Sequence, residues 1–494
     1  MDDPSRLART IATGALALLA AAAAAAPPTG AQAPERPFPA HAGYVDGSIK
    51  PNHLSQAELD QGVVDLYEQW RDDYLTQNPY EPDQYYVDYS EEFTQPADAV
   101  TTSESTGYGM LATAIMAGVD PQAKVYFDGL YRFSRAHPSG NDPNLMAWQQ
   151  ADRDGAIITV PDGGESSATD GDLDIAYALL LASEQWGDGG EIDYRAAAES
   201  IIAAILASEV QADEPILALG DWAPSDSTYG TGTRSSDWML QHLKEFEAAT
   251  GDAEWTAIVD KAYELADALH SEHSPATGLL PDFVVYAGGA PQPAPPNYLE
   301  SPNDGSYSWN ATRAPWRLAT DHLITGDARG KAQLDAINAW IRSATEGDPA
   351  EIDQGYELDG TPIDPNTDAH TAFAAPFMVS ALVDASNQAW LNDLWDYNVS
   401  QPSRGYYGDS IRLFGAIVAS GNWWSPSTPS PGPNTPPVID QIAADPDTGD
   451  APLEVSFTAQ ASDPDGDELS YEWGFGDGGT SDQQNPTHTY QDPG

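Results

Sequence analysis

A mainly α-helical domain followed by a small β domain is the fold class this sequence predicts, and three observations carry it. Across residues 37–424, apolar residues recur at helical spacing in many medium-length segments. Within that stretch, residues 108–118 (YGMLATAIMAG) are apolar on every side. At residues 425–437 the chain turns to SPSTPSPGPNTPP, and beyond it apolar residues alternate. Spacing of three and four marks a helix with one buried face, all-round apolarity marks a helix inside the core, and alternation marks a strand.

The elements follow in order. Arg6 and Arg9 precede an Ala/Leu run at 11–26 and an Ala31-Gln32-Ala33 cleavage pattern. Residues 1–33 therefore read as a secretory signal, leaving an exported, soluble protein with no run long enough to span a membrane. Val64, Tyr67 and Trp70 open the first helical stripe; Ile175, Leu179, Ala182 and Trp186 form another; Trp255, Ile258, Ala262, Leu265 and Leu269 a third. Further helices are expected at 196–210, 238–249, from near Pro315, and at 332–345, 369–383, 389–397 and 410–420. Loops rich in Gly, Asp and Pro separate them, often ending in pairs such as Gly251-Asp252 and Gly326-Asp327. About a dozen helices, alternately inner and outer, suggest a toroid of helical hairpins in residues 34–424. Residues 425–437 form an extended linker. In 438–494, Leu453, Val455 and Phe457 alternate, as do Leu469, Tyr471 and Trp473.

Composition narrows the function. The 494 residues carry 77 acidic and 20 basic side chains, a formal net charge of −57. Nucleic acid is excluded as a partner, because affinity for phosphate backbones comes from clustered Lys and Arg. The acidic residues are spread through apolar-periodic segments, which argues for a folded protein with an acidic surface. Such a surface repels itself unless salt screens it, so the chain reads as salt-adapted. It has no cysteine, which excludes disulfides and thiolate metal sites. No cofactor or metal is expected, and the protein is expected to be a monomer.

Three patches carry chemistry. In residues 101–110 (TTSESTGYGM), Glu104 precedes Gly107, Tyr108 and Gly109 at the mouth of the all-apolar helix. A helix N-terminus stabilises a carboxylate and burial raises its pKa, so Glu104 is either a capping acid or a general acid. The glycines permit close approach of a ligand or a neighbouring backbone. In residues 167–186, Asp170, Asp172 and Asp174 cluster ahead of a helix; the glycine between the first two sits wrongly for an EF-hand. In residues 297–317, Glu300 lies among Tyr298, Tyr307, Trp309 and Trp316, ring types on which sugars stack.

Together these patches resemble glycoside hydrolase family 8. ATDGDLDIAYALLLA at 168–182 is similar to that family's signature, and SESTGYGM to the segment holding its general acid, at Glu104. LMAW at 145–148 resembles a substrate platform, making Trp148 a stacking residue, and GYYGDSIRLFGAIVASGNWW resembles the closing helix. The resemblance implies an (α/α)6 barrel and inverting endo-hydrolysis of a β-linked polysaccharide, β-1,4-glucan first. Many members carry Asp as catalytic base where this chain has Asn310, and an amide cannot accept a proton from water. A subfamily with the same Asn, including chitosanases, lichenases and some endoglucanases, uses a Glu on an inserted loop; the loop with Glu300 fits it, as does TRSSD at 233–237. The resemblance thus implies Glu300 as base, Glu104 as acid and Asp170 holding the distorted sugar. Tyr108, Asp172, Trp309, Asn310 and Arg313 are expected to bind substrate or orient these groups.

The residues WGFGDGGTSDQQNPTHTY resemble the polycystic-kidney-disease (PKD) type immunoglobulin-like β-sandwich, through Trp473, Phe475–Gly478, Pro486, His488 and Tyr490. The pattern stops short of the last strand such a sandwich needs. Competing readings are a chitosanase or lichenase with the same machinery, a polysaccharide lyase, disfavoured by the lack of a basic cluster, and a non-catalytic glycan-binding protein.

Overall fold

A computed structural model of the chain describes residues 33–92, 96–161, 163–226, 228–365, 368–428, 437–462 and 469–492. The expected export signal lies outside the described residues except for Ala33. The chain forms two compact units, of which the helical one ends at Thr428.

Twelve α-helices build the helical unit among the described residues. In chain order they are α1 (Gln56–Tyr74), α2 (Ser103–Ile115), α3 (Ala123–Ala136), α4 (Thr169–Trp186), α5 (Tyr194–Ser208), α6 (Leu240–Thr250), α7 (Glu254–His273), α8 (Ala314–Thr325), α9 (Lys331–Ala344), α10 (Thr371–Ala381), α11 (Gln388–Ser400) and α12 (Tyr406–Ala419). The even-numbered helices form an inner ring, and α2, α4, α10 and α12 are buried on nearly every side. Each of α2 to α10 packs on the next inner helix, and Tyr108 of α2 meets Tyr406 and Phe414 of α12, with ring centroids 6.4 and 5.2 Å apart, to close the circle. The odd-numbered helices lie outside with one buried face, and the first, α1, pairs with the last, α12. This is an (α/α)6 barrel.

One end of the barrel is closed by the chain before α1. The backbone N–H groups of Glu35, Phe38, Val45 and Ile49 donate to the carbonyls of Gln185, Ala117, Leu323 and Leu382, and the Tyr44 hydroxyl donates to Val418. Every acceptor lies at or just past the C-terminal end of an inner helix, where the last carbonyls have no partner of their own. Gln185 adds a buried side-chain clasp: it accepts from Arg36 N–H (2.9 Å) and donates to the carbonyls of Arg36 (2.7 Å) and Ala114 (2.8 Å).

Short strands decorate the barrel: β1 (Leu75–Gln77), β2 (Tyr85–Val87), β3 (Ala99–Thr102), β4 (Gln149–Arg153), β5 (Ala156–Thr159), β6 (Gly232–Arg234), β7 (Phe283–Val285) and β8 (Gln292–Pro293). They pair antiparallel as β1-β2, β3-β4-β5 and β6-β7-β8. Neither these strands nor α3 is foreseen in the sequence pattern. Yet Phe127, Leu130 and Phe133 of α3 recur at helical spacing, around a Gly129 that is required because a Cβ there would lie 2.4 Å from the Tyr85 ring. The start of the expected linker also belongs to the barrel: Ser425 is buried and, with Ser427, donates to the Glu245 carboxylate, while Arg36 donates to the carbonyls of Ser425 and Thr428.

The second unit holds β9 (Val438–Asp445), β10 (Leu453–Ser462), β11 (Trp473–Gly474), β12 (Thr480–Ser481) and β13 (Thr487–Tyr490). Its sheet runs β13-β10-β9, and β11 pairs with β12. Val455, Phe457 and Ala459 of β10 turn inward onto Trp473 and Phe475, as the alternation predicts. Leu469 and Tyr471, expected in a strand, precede β11 without joining one.

Candidate active site

The other end of the barrel gathers the N-termini of the inner helices. Thr102 ends β3 and caps α2: its hydroxyl accepts from Ser105 N–H, and the Ser105 hydroxyl accepts from Thr102 N–H. Helix α2 therefore begins before the all-apolar stretch, and Glu104 sits in its first turn. The glycines around it serve helix packing. A Cβ at Gly107 would lie 2.8 Å from that of Asp174, and one at Gly171 would lie 2.4 Å from the Ser103 hydroxyl, so α2 and α4 cross with no side chain between them.

Arg313, 1% exposed, is the hub. One guanidinium nitrogen donates to Glu104 Oε2 (2.6 Å), Asp170 Oδ2 (3.2 Å) and the Tyr108 hydroxyl (3.3 Å); the other donates to the Ser236 hydroxyl (3.0 Å) and Asn310 Oδ1 (3.3 Å). Burial pushes the Glu104 carboxyl up to about 7, against the pull of Arg313 and with a further push from Asp170. Burial also works on Asp170, but Arg234 and Arg313 outweigh it and hold that carboxyl below its ordinary range. Two neighbouring acids are thus split into a neutral one and an anionic one. Among the described residues the second oxygen of Glu104 has only the Tyr406 hydroxyl as a hydrogen-bond partner, at 3.5 Å.

Glu300 enters from the loop after β8. The Asp304 carboxylate shapes that loop by accepting from the N–H groups of Leu299, Glu300 and Ser301. One Glu300 oxygen accepts from Arg234 (3.0 Å) and the other from the Asn310 amide (2.7 Å), while the side chain stays 45% exposed. Asn310 is itself placed by buried Asp282, which accepts from the N–H groups of Ser308, Asn310 and Ala311. Burial raises the Asp282 carboxyl to about 7 against those hydrogen bonds. A continuous path then runs from Glu104 through Arg313 and Asn310 to Glu300.

Glu104, Glu300, Trp309 and Asn310 line one cleft of about 600 Å³, open to solvent, together with Tyr89, Glu92, Tyr406 and Tyr407. Trp309 is 42% exposed there. Of the residues expected to bind substrate or orient these groups, two lie buried beneath the cleft. Tyr108 is fully buried and touches Arg313 from beneath, so it braces the hub. Asp172 is 1% exposed, and its carboxylate accepts from Met146 N–H (2.9 Å), holding the segment that leads to Trp148. Trp148 is half-buried with its indole N–H on the Gly163 carbonyl, and its own carbonyl accepts from Ser103 N–H. Arg234, Asp237 and Asp282 went unassigned in the sequence; the TRSSD motif pointed at the first two, and nothing local pointed at Asp282. Asp237 is buried beside Arg234 (3.5 Å), with its carboxyl raised by burial to about 7. Asp174 is engaged by His242 (3.0 Å) and Arg317 (3.2 Å) under the site. Among the described residues no three His, Asp or Glu side chains are grouped to hold a metal ion.

Comparison with known proteins agrees with this geometry. Residues 53–421 match the model of the glycosyl hydrolases family 8, and residues 434–494 that of the PKD domain. A "Beta-glucanase" of Niallia circulans is 48% identical over 393 residues, 80% of this chain and 92% of that protein. An "Endoglucanase" of Bacillus sp. (strain KSM-330) is 42% identical over 398 residues, 79% of this chain and 82% of that protein. The apo structure of a β-1,3-1,4-glucanase from Paenibacillus sp. X4 superposes with a TM-score of 0.75 at 47% identity, covering 80% of this chain and all of that one.

Proposed function

This chain belongs to the glycosyl hydrolases of family 8, and from that premise we propose that it cleaves internal bonds of β-glucan by inversion, with Glu104 as general acid and Glu300 as general base. It is a glycoside hydrolase of the endoglucanase and β-glucanase type. The observation that carries the proposed roles is the pairing, in one open cleft, of a carboxyl raised to about 7 with a second carboxylate whose two oxygens are oriented by Arg234 and Asn310.

The chemistry balances on these groups. Neutral Glu104 gives its proton to the glycosidic oxygen as the bond from that oxygen to the anomeric carbon breaks. Its Arg313-bonded oxygen is an acceptor, so the proton rides on the other oxygen, toward Tyr406. A water held between substrate and Glu300 attacks the anomeric carbon from the opposite face and passes its proton to Glu300. In inverting enzymes the two carboxyl groups stand about 6.5–9.5 Å apart to leave room for that water, and here a guanidinium and an amide intervene between them. Asp170, held anionic beside both arginines, stabilises the positive charge that develops on the sugar. Asn310 positions the base in place of being one.

Mixed-linkage β-glucan and β-1,4-glucan are the proposed substrates. Initial rates on barley β-glucan, carboxymethyl cellulose, xylan and chitosan test this, and a clear preference for chitosan or xylan would reject it. Export through residues 1–33, a monomeric state and salt adaptation belong to the same proposal. The salt part follows from the −57 charge: the melting temperature should rise between low and molar NaCl as carboxylate repulsion is screened, and a flat profile would reject it.

A further inference from the structure

A third carboxylate in the cleft has no part in this mechanism. Glu92 is solvent-exposed and lines the cleft beside Tyr89, Tyr406 and Tyr407. One of its oxygens accepts from Tyr407 N–H (3.3 Å) in the first turn of α12, across 315 positions of sequence. The contact needs a glycine opposite: Gly405, at φ +94°, would with a Cβ place that atom 2.3 Å from the same oxygen. Burial raises the Glu92 carboxyl above its ordinary range, while the N–H groups at the start of the helix oppose that shift and fix its direction. The Tyr406 N–H also donates to the carboxylate, and no arginine pairs with it among the described residues. The contrast with its neighbours is marked, since Arg313 engages Glu104, and Arg234 with Asn310 engages both oxygens of Glu300. The cleft therefore holds an oriented carboxylate that no arginine neutralises.

Its place indicates what it meets. Tyr406 stacks on Tyr89 (centroids 4.6 Å apart, planes at 24°) and its hydroxyl reaches Glu104, so Glu92 flanks the acid's side of the cleft. A sugar ring whose glycosidic oxygen is offered to Glu104 presents its hydroxyl groups along that wall. A carboxylate is an acceptor-only group, matched to hydroxyl donors. We propose that Glu92 is a substrate-binding residue that accepts hydrogen bonds from the hydroxyl groups of a sugar unit adjoining the scissile bond, and so sets how the glucan chain lies against Glu104.

This rests on the catalytic reading of the cleft, and the test separates the two. The full chain and its Glu92→Gln, Glu92→Ala and Glu300→Gln variants are assayed on barley β-glucan, with melting temperatures measured alongside. Glu92→Gln keeps an amide oxygen for Tyr407 N–H but turns a donor toward the cleft, so KM should rise about fivefold with kcat little changed. Glu92→Ala should lower kcat/KM about tenfold or more, the usual cost of losing a hydrogen bond to a charged group. Titration of the hydrolytically dead Glu300→Gln/Glu92→Gln double variant with cellohexaose should show the same weakening relative to Glu300→Gln alone. If Glu92→Gln matches the parent in KM and in cellohexaose affinity, Glu92 is only the cap of α12 and the proposal fails. If Glu300→Gln stays active, the catalytic reading fails instead, whatever Glu92 does.

Discussion

The two ends of the inner helical ring are made of the same helices and treated in opposite ways. Helix α4 shows the contrast along about 22 Å of its own length. At its C-terminal end the Gln185 side chain makes two buried hydrogen bonds to Arg36 before α1 and one to Ala114 of α2, and the neighbouring inner helices have their last carbonyls satisfied by the chain before α1. At its N-terminal end Asp170 faces Glu104, Arg234 and Arg313 in a cleft left open. The closed end satisfies the last carbonyls of the inner helices with backbone N–H, amide and hydroxyl donors. The open end holds carboxyls that burial raises to about 7 beside an anionic Asp170, next to a cleft open to solvent. Stability resides at one end and chemistry at the other, and the helix N-termini suit the acidic end because their dipoles favour anions.

Substitutions at each end should therefore separate rate from stability. The largest effect belongs to the open end: Glu300→Gln or Glu104→Gln should lower kcat/KM on β-glucan by about 10³-fold, with the melting temperature nearly unchanged. Comparable losses of stability would break the contrast. At the closed end, Gln185→Leu strands buried partners on Arg36 and Ala114 and should cost about 2 kcal/mol in denaturant unfolding, with kcat/KM as in the parent. A smaller effect sharpens the electrostatics. With Glu104 at about 7, kcat/KM should fall as pH rises above about 7. Asp170→Asn removes a charge that raises Glu104, so this limb should move to lower pH in the variant's residual activity; an unmoved limb would assign it to another group. The same shift has a stability sign. Glu104, Asp237 and Asp282 are all raised to about 7 in the folded protein, so the folded state binds more protons than the unfolded chain between their ordinary values near 4 and about 7. Their contribution to stability is greatest below that window and declines as pH rises through it.

Much of this was legible because periodicity and local motif coincide with function at the inner helices. The all-apolar run after Glu104 marked an inner helix, and the resemblance to a subfamily with Asn at the position of Asn310 pointed to the loop that holds Glu300. What escaped is set by distant packing. Tyr108 and Asp172 look like ligand contacts in sequence because tyrosine and aspartate usually reach solvent, yet they brace Arg313 and the Met146 backbone from below. Asp282 sits in an unremarkable loop, and its role is to gather three N–H groups of a turn that follows 26 to 29 residues later. Helix α3 carries a helical stripe in Phe127, Leu130 and Phe133 that was legible and went unread, whereas the need for Gly129 is set by Tyr85 on another element. The composition change at 425 marked a linker, but composition does not register that Glu245 and Arg36 hold the chain until Thr428.

In the proposed mechanism two carboxyls, Glu104 and Glu300, act from opposite faces of the sugar with water between them. Following the anomer of the freshly released reducing end by ¹H NMR, during hydrolysis of barley β-glucan and before mutarotation, tests it most directly. The account predicts that the α-anomer appears first and relaxes toward the equilibrium mixture. First appearance of the β-anomer would mean retention through a covalent glycosyl-enzyme, and would contradict the assignment of Glu300 as a base acting through water.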